Sequence, residues 1–319
     1  MVRADPGRGS RGATGPDGDG PGRAAGAPAL GSAGLHLAAP DLPGLGLAAP
    51  RLVATDLDGT LLGPDGTVST RTSAALRAAH EAGLDVLFVT ARPPRWAVEL
   101  AEHVAGHGAV ICANGALVLD VATRATLAEH GMPPALVGQV AAALRDAMGG
   151  PGRVRLATES VDGFAYEHGF RSTHPVPPGS PSAARIEDVL TGSTLKILVR
   201  TSTPGAVPLA DEVTAAVGTL AIAADSGAVG LGEISGPGVT KAATLARWAG
   251  ARGVAAHEVW AVGDAPNDLP MLAWAGASFA VANAHPVVLA AADHALPSNG
   301  DDGVAHLLEH ALARVRELG

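Results

Sequence analysis

Residues 51–60, RLVATDLDGT, join an apolar, β-branched run to two aspartates spaced two apart. The run RLVATD reads as a buried strand. While the backbone stays extended, Asp56 and Asp58 project to the same face. Two carboxylates held together repel unless a cation lies between them or one is protonated. Asp-Gly is also a common turn, but an aspartate ending a buried strand with a second one beside it is a costly way to make a turn. The stretch therefore predicts a parallel α/β sheet with a charged site at the carboxyl end of its first strand, where open α/β sheets bind ligands.

Outward from this stretch, strands and helices alternate. Thr70 to Ala82 reads as a helix closed by Gly83, LDVLFVT (84–90) as a second strand, Pro94 to Ala105 as a helix, and AVICA (109–113) as a third strand. ALVLD and ATLAE then suggest a hairpin. Between 132 and 229 the rhythm breaks. A helix (134–147), strand RVRLAT (153–158), a Pro/Ser/Gly loop (172–182), strand LKILVR (195–200), a helix (208–217) and strand LAIAA (220–224) follow without strict alternation, which predicts an α+β insert. Alternation resumes with a helix from Thr240, EVWAVGD (258–264), a helix from Pro266, ASFAVA (277–282) and a last helix from Gly303. The expected fold is α/β: a doubly wound parallel sheet core over 49–131 and 230–319, interrupted by an inserted domain over 132–229.

Composition narrows the function. The 319 residues carry 22 Lys+Arg against 31 Asp+Glu, a net charge of −9, which argues against a nucleic-acid binder. Mean hydropathy is +0.23, yet no uninterrupted apolar run reaches the roughly 18 residues a membrane span needs. The lone Cys112 sits in an apolar run and reads as a small buried side chain in a reducing, cytoplasmic setting. Residues 1–48 are rich in Gly, Pro and Ala and hold no apolar signal-peptide core, so a disordered extension is expected; translation from a codon upstream of the true start would give the same string.

Three further segments fall at strand or helix ends. In FVTARP, Thr90 closes the second strand and Arg92 lies just beyond; a hydroxyl, free backbone N–H groups and an Arg can hold a phosphate, although a strand-end Thr is also routine. In GPGVTK, Thr240 resembles an N-cap and Lys241 a first helical residue. The chain has two lysines against twenty arginines, and a cation there opposes the helix dipole unless an anion sits between them. In GDAPND, Asp264, Pro266 and Asp268 make an ordinary helix start, yet two carboxylates four apart can also converge on a hard cation such as Mg²⁺. His103 and His107 have metal-ligand spacing without a clear third ligand. Trp96, Trp248, Trp260 and Trp274 lie in or beside core elements and read as packing.

In this order, DLDGT, a Thr after the second strand, a Lys at a helix start and GDAPND resemble the four motifs of the haloacid dehalogenase-like (HAD) phosphohydrolases. TARP, CANGA, GVTK, GDAPNDLPML, ANAHP and DDGVAHLL resemble the Cof-type branch, with a cap between motifs two and three, over roughly residues 51–317. One departure is Ala91, where the Cof pattern usually has Gly after the motif-two Thr. The resemblance implies a Rossmann-like core, a Mg²⁺ cofactor and hydrolysis of a small phosphorylated metabolite, a sugar phosphate or phosphorylated cofactor, through an aspartyl-phosphate. It implies Asp56 as nucleophile and Asp58 as acid and base. Mg²⁺ would be held by Asp56, Asp264 and the main-chain carbonyl of Asp58. Phosphate would be bound by Thr90, Ala91, Lys241 and Asn267, with Thr60 and Asp268 supporting from behind. Arg92 and Asn114 would be substrate contacts. A phosphomutase or phosphotransferase of the same fold, and a catalytically retired binding module, are the alternatives. No nucleic-acid or membrane partner is expected, and oligomeric state is left open.

Overall fold

The computed structural model describes residues 47–97, 108–203, 205–226 and 229–318. The proposed helix beyond Ala97 and the His103/His107 pair lie outside the described residues, as does the N-terminal extension through residue 46. Leu47 is already part of the fold, packing on the core while its carbonyl accepts from Arg314 Nε at 2.9 Å.

The first segment supplies β1 (Leu52–Thr55), α1 (Thr70–Glu81), β2 (Asp85–Val89), α2 (Pro94–Ala97), β3 (Ala109–Cys112), β4 (Leu117–Asp120) and β5 (Thr126–Glu129). The insert supplies α3 (Pro134–Ala147), β6 (Val154–Ser160), β7 (Phe164–Glu167), β8 (Ser182–Ala183), β9 (Thr194–Thr201), α4 (Leu209–Val217), β10 (Ile222–Ala224) and β11 (Gly232–Ser235). The chain then returns through α5 (Lys241–Gly250), β12 (Val259–Gly263), α6 (Leu269–Trp274), β13 (Ala277–Val281), α7 (Pro286–Ala291), β14 (His294–Leu296) and α8 (Gly303–Leu318).

The larger sheet has the order β14-β13-β12-β1-β2-β3-β4-β5, parallel from β14 to β3, with β4 and β5 added antiparallel as the expected hairpin. β1 is fully buried between β2 and β12. The chain winds outward from it in both directions, so the carboxyl ends of β1 and β12 form the topological switch point where such sheets bind ligands. Ser69 caps α1, its Oγ accepting from Thr72 N at 3.0 Å. Ala75, Leu76 and Ala79 form the buried face of that helix, which packs on α8 with its buried Val304, Leu307, Leu308 and Ala311. Spacings of three and four residues are what place such side chains on one helical face.

The inserted cap is a six-stranded sheet, β10-β11-β9-β6-β7-β8. One face is covered by α3 and α4 and holds a separate core of Val137, Val140, Leu144, Leu156, Ile197 and Val199. Because side chains alternate along a strand, Lys196, Leu198 and Arg200 of β9 point to the other face. β7, β8, β11 and β14 are not expected from the sequence; all are two to four residues long, and β8, β11 and β14 contain Ser, Gly or His. β11 lies past residue 229 yet pairs with β9 and β10 inside the cap sheet; we therefore propose that the cap extends to Ser235.

Candidate active site

β1 delivers Asp56 to the end of the sheet, where its N–H still donates to Val262 O of β12 at 3.0 Å. The chain then turns abruptly through Leu57–Leu61. Gly59 permits this turn at φ +79°, and a Cβ there would also come within 2.9 Å of Asp264 Cγ. The residue must be glycine on both counts. Asn283 Nδ2 donates to Gly59 O at 2.7 Å and fixes the turn from β13's loop. β12 delivers Asp264 beside it, and Thr60 Oγ1 donates to Asp264 Oδ1 at 2.8 Å. Oxygen atoms of Asp56, Asp264 and Asp268 all lie within 4.8 Å of one another.

Lys241 enters from the first turn of α5, whose N-cap Thr240 accepts from Ala243 N at 3.1 Å. Its Nζ donates to Asp56 Oδ1 at 2.6 Å and to Asp268 Oδ1 at 2.7 Å, with the lysine side chain 2% exposed. Asp268 Oδ2 accepts from Asp264 N at 3.1 Å and Ala265 N at 3.0 Å. Asp268 is thus occupied in holding the lysine and the loop, leaving Asp56 and Asp264 as the carboxylates better placed for a cation. Burial pushes the Asp56 carboxyl well above its ordinary value, Lys241 pulls it back, and the Asp268 and Asp264 charges push it up again. Burial opposes the Lys241 charge, but Asp268 and Asp56 outweigh it and hold the ammonium above its ordinary value. Burial also raises Asp264, against the hydrogen bond from Thr60. Three carboxylates against one ammonium leave a net deficit of two charges, and all the available donors are oxygen. That donor set fits a hard divalent cation.

Several residues sit differently from expectation. Thr90 is fully buried and its Oγ1 accepts from Arg92 N at 3.0 Å, closing its own loop instead of facing the cavity. Arg92 clasps Asp58 in a bidentate pair, Nε to Oδ2 at 2.8 Å and Nη2 to Oδ1 at 2.6 Å. Asn114 stands in a left-handed conformation, φ 57°, directly after Ala113 at φ 50°. It is buried and bridges: it accepts from Asn267 Nδ2 at 3.1 Å and donates to Glu233 Oε2 at 2.9 Å. Glu233 Oε1 in turn accepts from Lys196 Nζ at 2.8 Å, and Lys196 donates to Ala91 O at 2.8 Å. Lys196 and Glu233, both from the cap, were not singled out in the sequence. The signal was there: Lys196 is the only lysine besides Lys241. Trp96, expected as packing, instead lines the cavity of 710 Å³ between this cluster and the cap.

Residues 53–308 match the haloacid dehalogenase-like hydrolases. The chain belongs to that family. Over 78 residues this hydrolase is 37% identical to the 5-amino-6-(5-phospho-D-ribitylamino)uracil phosphatase YcsE of Bacillus subtilis, covering 24% of the chain and 31% of the relative. Over 81 residues it is 35% identical to the phosphoglycolate phosphatase of Methanothrix thermoacetophila, covering 25% and 36%. The matching stretches span about a third of these curated relatives' own length. Its fold is shared with a haloacid dehalogenase-like hydrolase from Bacteroides thetaiotaomicron, TM-score 0.64 at 22% identity, over 81% of this chain and 98% of that one. Among the described residues no helix is long and apolar enough to cross a membrane.

Proposed function

We propose that this hydrolase is a Mg²⁺-dependent phosphatase that cleaves a small phosphorylated metabolite, a sugar phosphate or a phosphorylated cofactor, through an aspartyl-phosphate. The observation that carries the reading is the 2.6 Å contact between Lys241 and Asp56 beside Asp264 and Asp268, at the floor of a cavity roofed by the cap. The two relatives, a 5-amino-6-(5-phospho-D-ribitylamino)uracil phosphatase and a phosphoglycolate phosphatase, favour the same class.

Asp56 attacks phosphorus, the bond to the leaving oxygen breaks, and water then displaces the aspartate to release inorganic phosphate. Asp58 gives a proton to the leaving oxygen in the first step and takes one from water in the second. Arg92 clasps Asp58 in a bidentate pair, and the arriving phosphate competes for the same guanidinium. Burial raises the Asp56 carboxyl and Lys241 opposes that effect; with the backbone N–H of Ala91, the ammonium also stabilises charge on the transferring oxygens. Asn267, half-buried beside them, also lines the cavity, with its Nδ2 donating to Asn114 Oδ1. Asp56 and Asp264, with the carbonyl of Asp58, would hold Mg²⁺, which when bound offsets repulsion between carboxylate and phosphate dianion.

The test is phosphate release from a set of phosphorylated metabolites with and without magnesium, together with Mg²⁺ titration of Asp264→Ala by calorimetry. Turnover that survives chelation, or wild-type magnesium affinity in Asp264→Ala, overturns the assignment. An isomeric sugar phosphate in place of free phosphate would mark the protein as a mutase.

A further inference from the structure

The cap face opposite Asp56 has an order of its own. Five cationic side chains line the cavity, Arg92, Arg95, Lys196, Arg200 and Lys241. Four are each bound to a carboxylate: Arg92 to Asp58, Arg95 to Glu159, Lys196 to Glu233 and Lys241 to Asp56, all within 2.8 Å. Arg200 has no carboxylate partner among the described residues. Its Nη1 donates to Gly230 O at 3.0 Å and its Nη2 reaches Thr173 Oγ1 at 3.5 Å, while Nε is buried with no partner at all. A buried donor without an acceptor is costly, and a cavity that leaves one guanidinium unneutralised is shaped for an acceptor that arrives with the ligand.

Lys196, Leu198 and Arg200 alternate along β9 toward the cavity. At about 3.3 Å per residue, Arg200 lies about 13 Å along the strand from Lys196, whose Nζ touches Ala91 O at the phosphate end. Between these ends the wall is aromatic. Phe164 and Phe170 stand 6.2 Å apart in a cluster with Ala157 and Leu198, separate from the main cap core. Arg95 continues it, its guanidinium 5.7 Å from the Phe164 ring and 4.4 Å from that of Trp96. In a chain with four Phe and four Trp in 319 residues, two Phe and one Trp facing one cavity is a concentration that needs a cause. Flat π faces of this kind take up planar rings in offset or edge contact.

We propose that the leaving group of the natural substrate carries an aromatic or heteroaromatic ring, seated against Phe164, Phe170 and Trp96, and ends in an anionic or carbonyl oxygen held by Arg200. This rests on the phosphatase reading for the position of the phosphate. An aliphatic sugar phosphate would offer the ring wall no planar group and Arg200 no anionic partner.

The test compares kcat/KM for three ring-bearing esters (flavin mononucleotide, pyridoxal 5′-phosphate, orotidine 5′-monophosphate) with that for three aliphatic ones (ribose 5-phosphate, erythrose 4-phosphate, glycerol 3-phosphate). The best ring-bearing ester is expected to exceed the best aliphatic one at least tenfold, and Arg200→Gln and Phe170→Ala are each expected to erase that preference. An aliphatic ester that equals or exceeds the ring-bearing ones overturns the proposal, as does a preference that both variants retain. Affinities of the same six esters for Asp56→Asn, read by calorimetry, should show the same order without turnover. If wild-type protein releases no phosphate even from acetyl phosphate, which is too small to reach the cap, the phosphatase reading fails, and the affinity order still decides this one.

Discussion

Replacing Lys196 by methionine removes the charge but keeps the length of the side chain. The Lys196 and Glu233 side chains are 4% and 7% exposed, and the pair is tied into the core through Ala91 O and Asn114. After Lys196→Met, Glu233 keeps a buried carboxylate with only the Asn114 amide to answer it. Removing one partner of a buried pair costs about 3–5 kcal/mol. With a urea dependence of about 2–3 kcal/mol per molar, the unfolding midpoint should fall by about 1–2.5 M. Lys196→Met/Glu233→Gln removes both charges and should recover most of that loss, since neutral replacement of a whole buried pair is often close to neutral. The assay is urea unfolding followed by circular dichroism and tryptophan fluorescence, whose coincidence tests for a single transition. A single variant that shifts the midpoint by less than about 0.3 M, or a double variant no more stable than the single one, would refute the description of this pair as desolvated and mutually dependent.

Three other outcomes are expected. Asp58→Asn should accumulate phosphorylated Asp56 on an aryl phosphate, whose good leaving group needs little acid assistance while the second step still lacks its base; intact mass should show one added, hydroxylamine-labile phosphoryl group, absent from Asp56→Asn. Cys112 is buried and its thiol is pushed up to about 12 by that burial, only partly offset by Lys196, so it should resist iodoacetamide at pH 8 in the folded protein and react once unfolded; labelling at equal rates in both states would contradict the packing. Burial alone would raise Glu187, but hydrogen bonds from Arg145 and Arg185 outweigh it and bring the carboxyl down to about 2. Its contribution to stability is therefore present above the ordinary value of 4.5 and lost as pH falls toward 2, so Glu187→Gln should narrow the difference in urea midpoint between pH 7 and pH 3, and an unchanged difference would refute the linkage.

The parallel sheet was legible because its strands are buried runs that end on charged or hydroxyl residues: RLVATD, LDVLFVT and EVWAVGD each announce both a strand and the place where it stops. β11 and β14 were not legible, because GEIS and HAL are too short and too mixed for alternation to rise above chance. Lys241 stood out by rarity and by its place at a helix start. Lys196 is equally rare, but a strand such as LKILVR, apolar on both sides of its lysine, does not show that Lys196, Leu198 and Arg200 share the face toward a cavity. The Arg92 clasp on Asp58 joins residues 34 apart on different loops, and no local pattern encodes such a meeting.

Both lysines of the chain are sealed inside the protein, their side chains 4% and 2% exposed. The described surface therefore offers no lysine amine to solvent, and its positive charge is carried by arginine. A lysine-specific protease or an amine-acylating reagent meets its two side-chain targets only when the cap swings away or the core opens at α5. The rate of such attack then follows the population of the open molecule when closing is faster than attack, and the rate of opening when it is slower. Lys196 reports the contact of the cap with Ala91, and Lys241 reports the floor of the cavity, so the protein carries a pair of built-in reporters of its own breathing that need no engineering to be read.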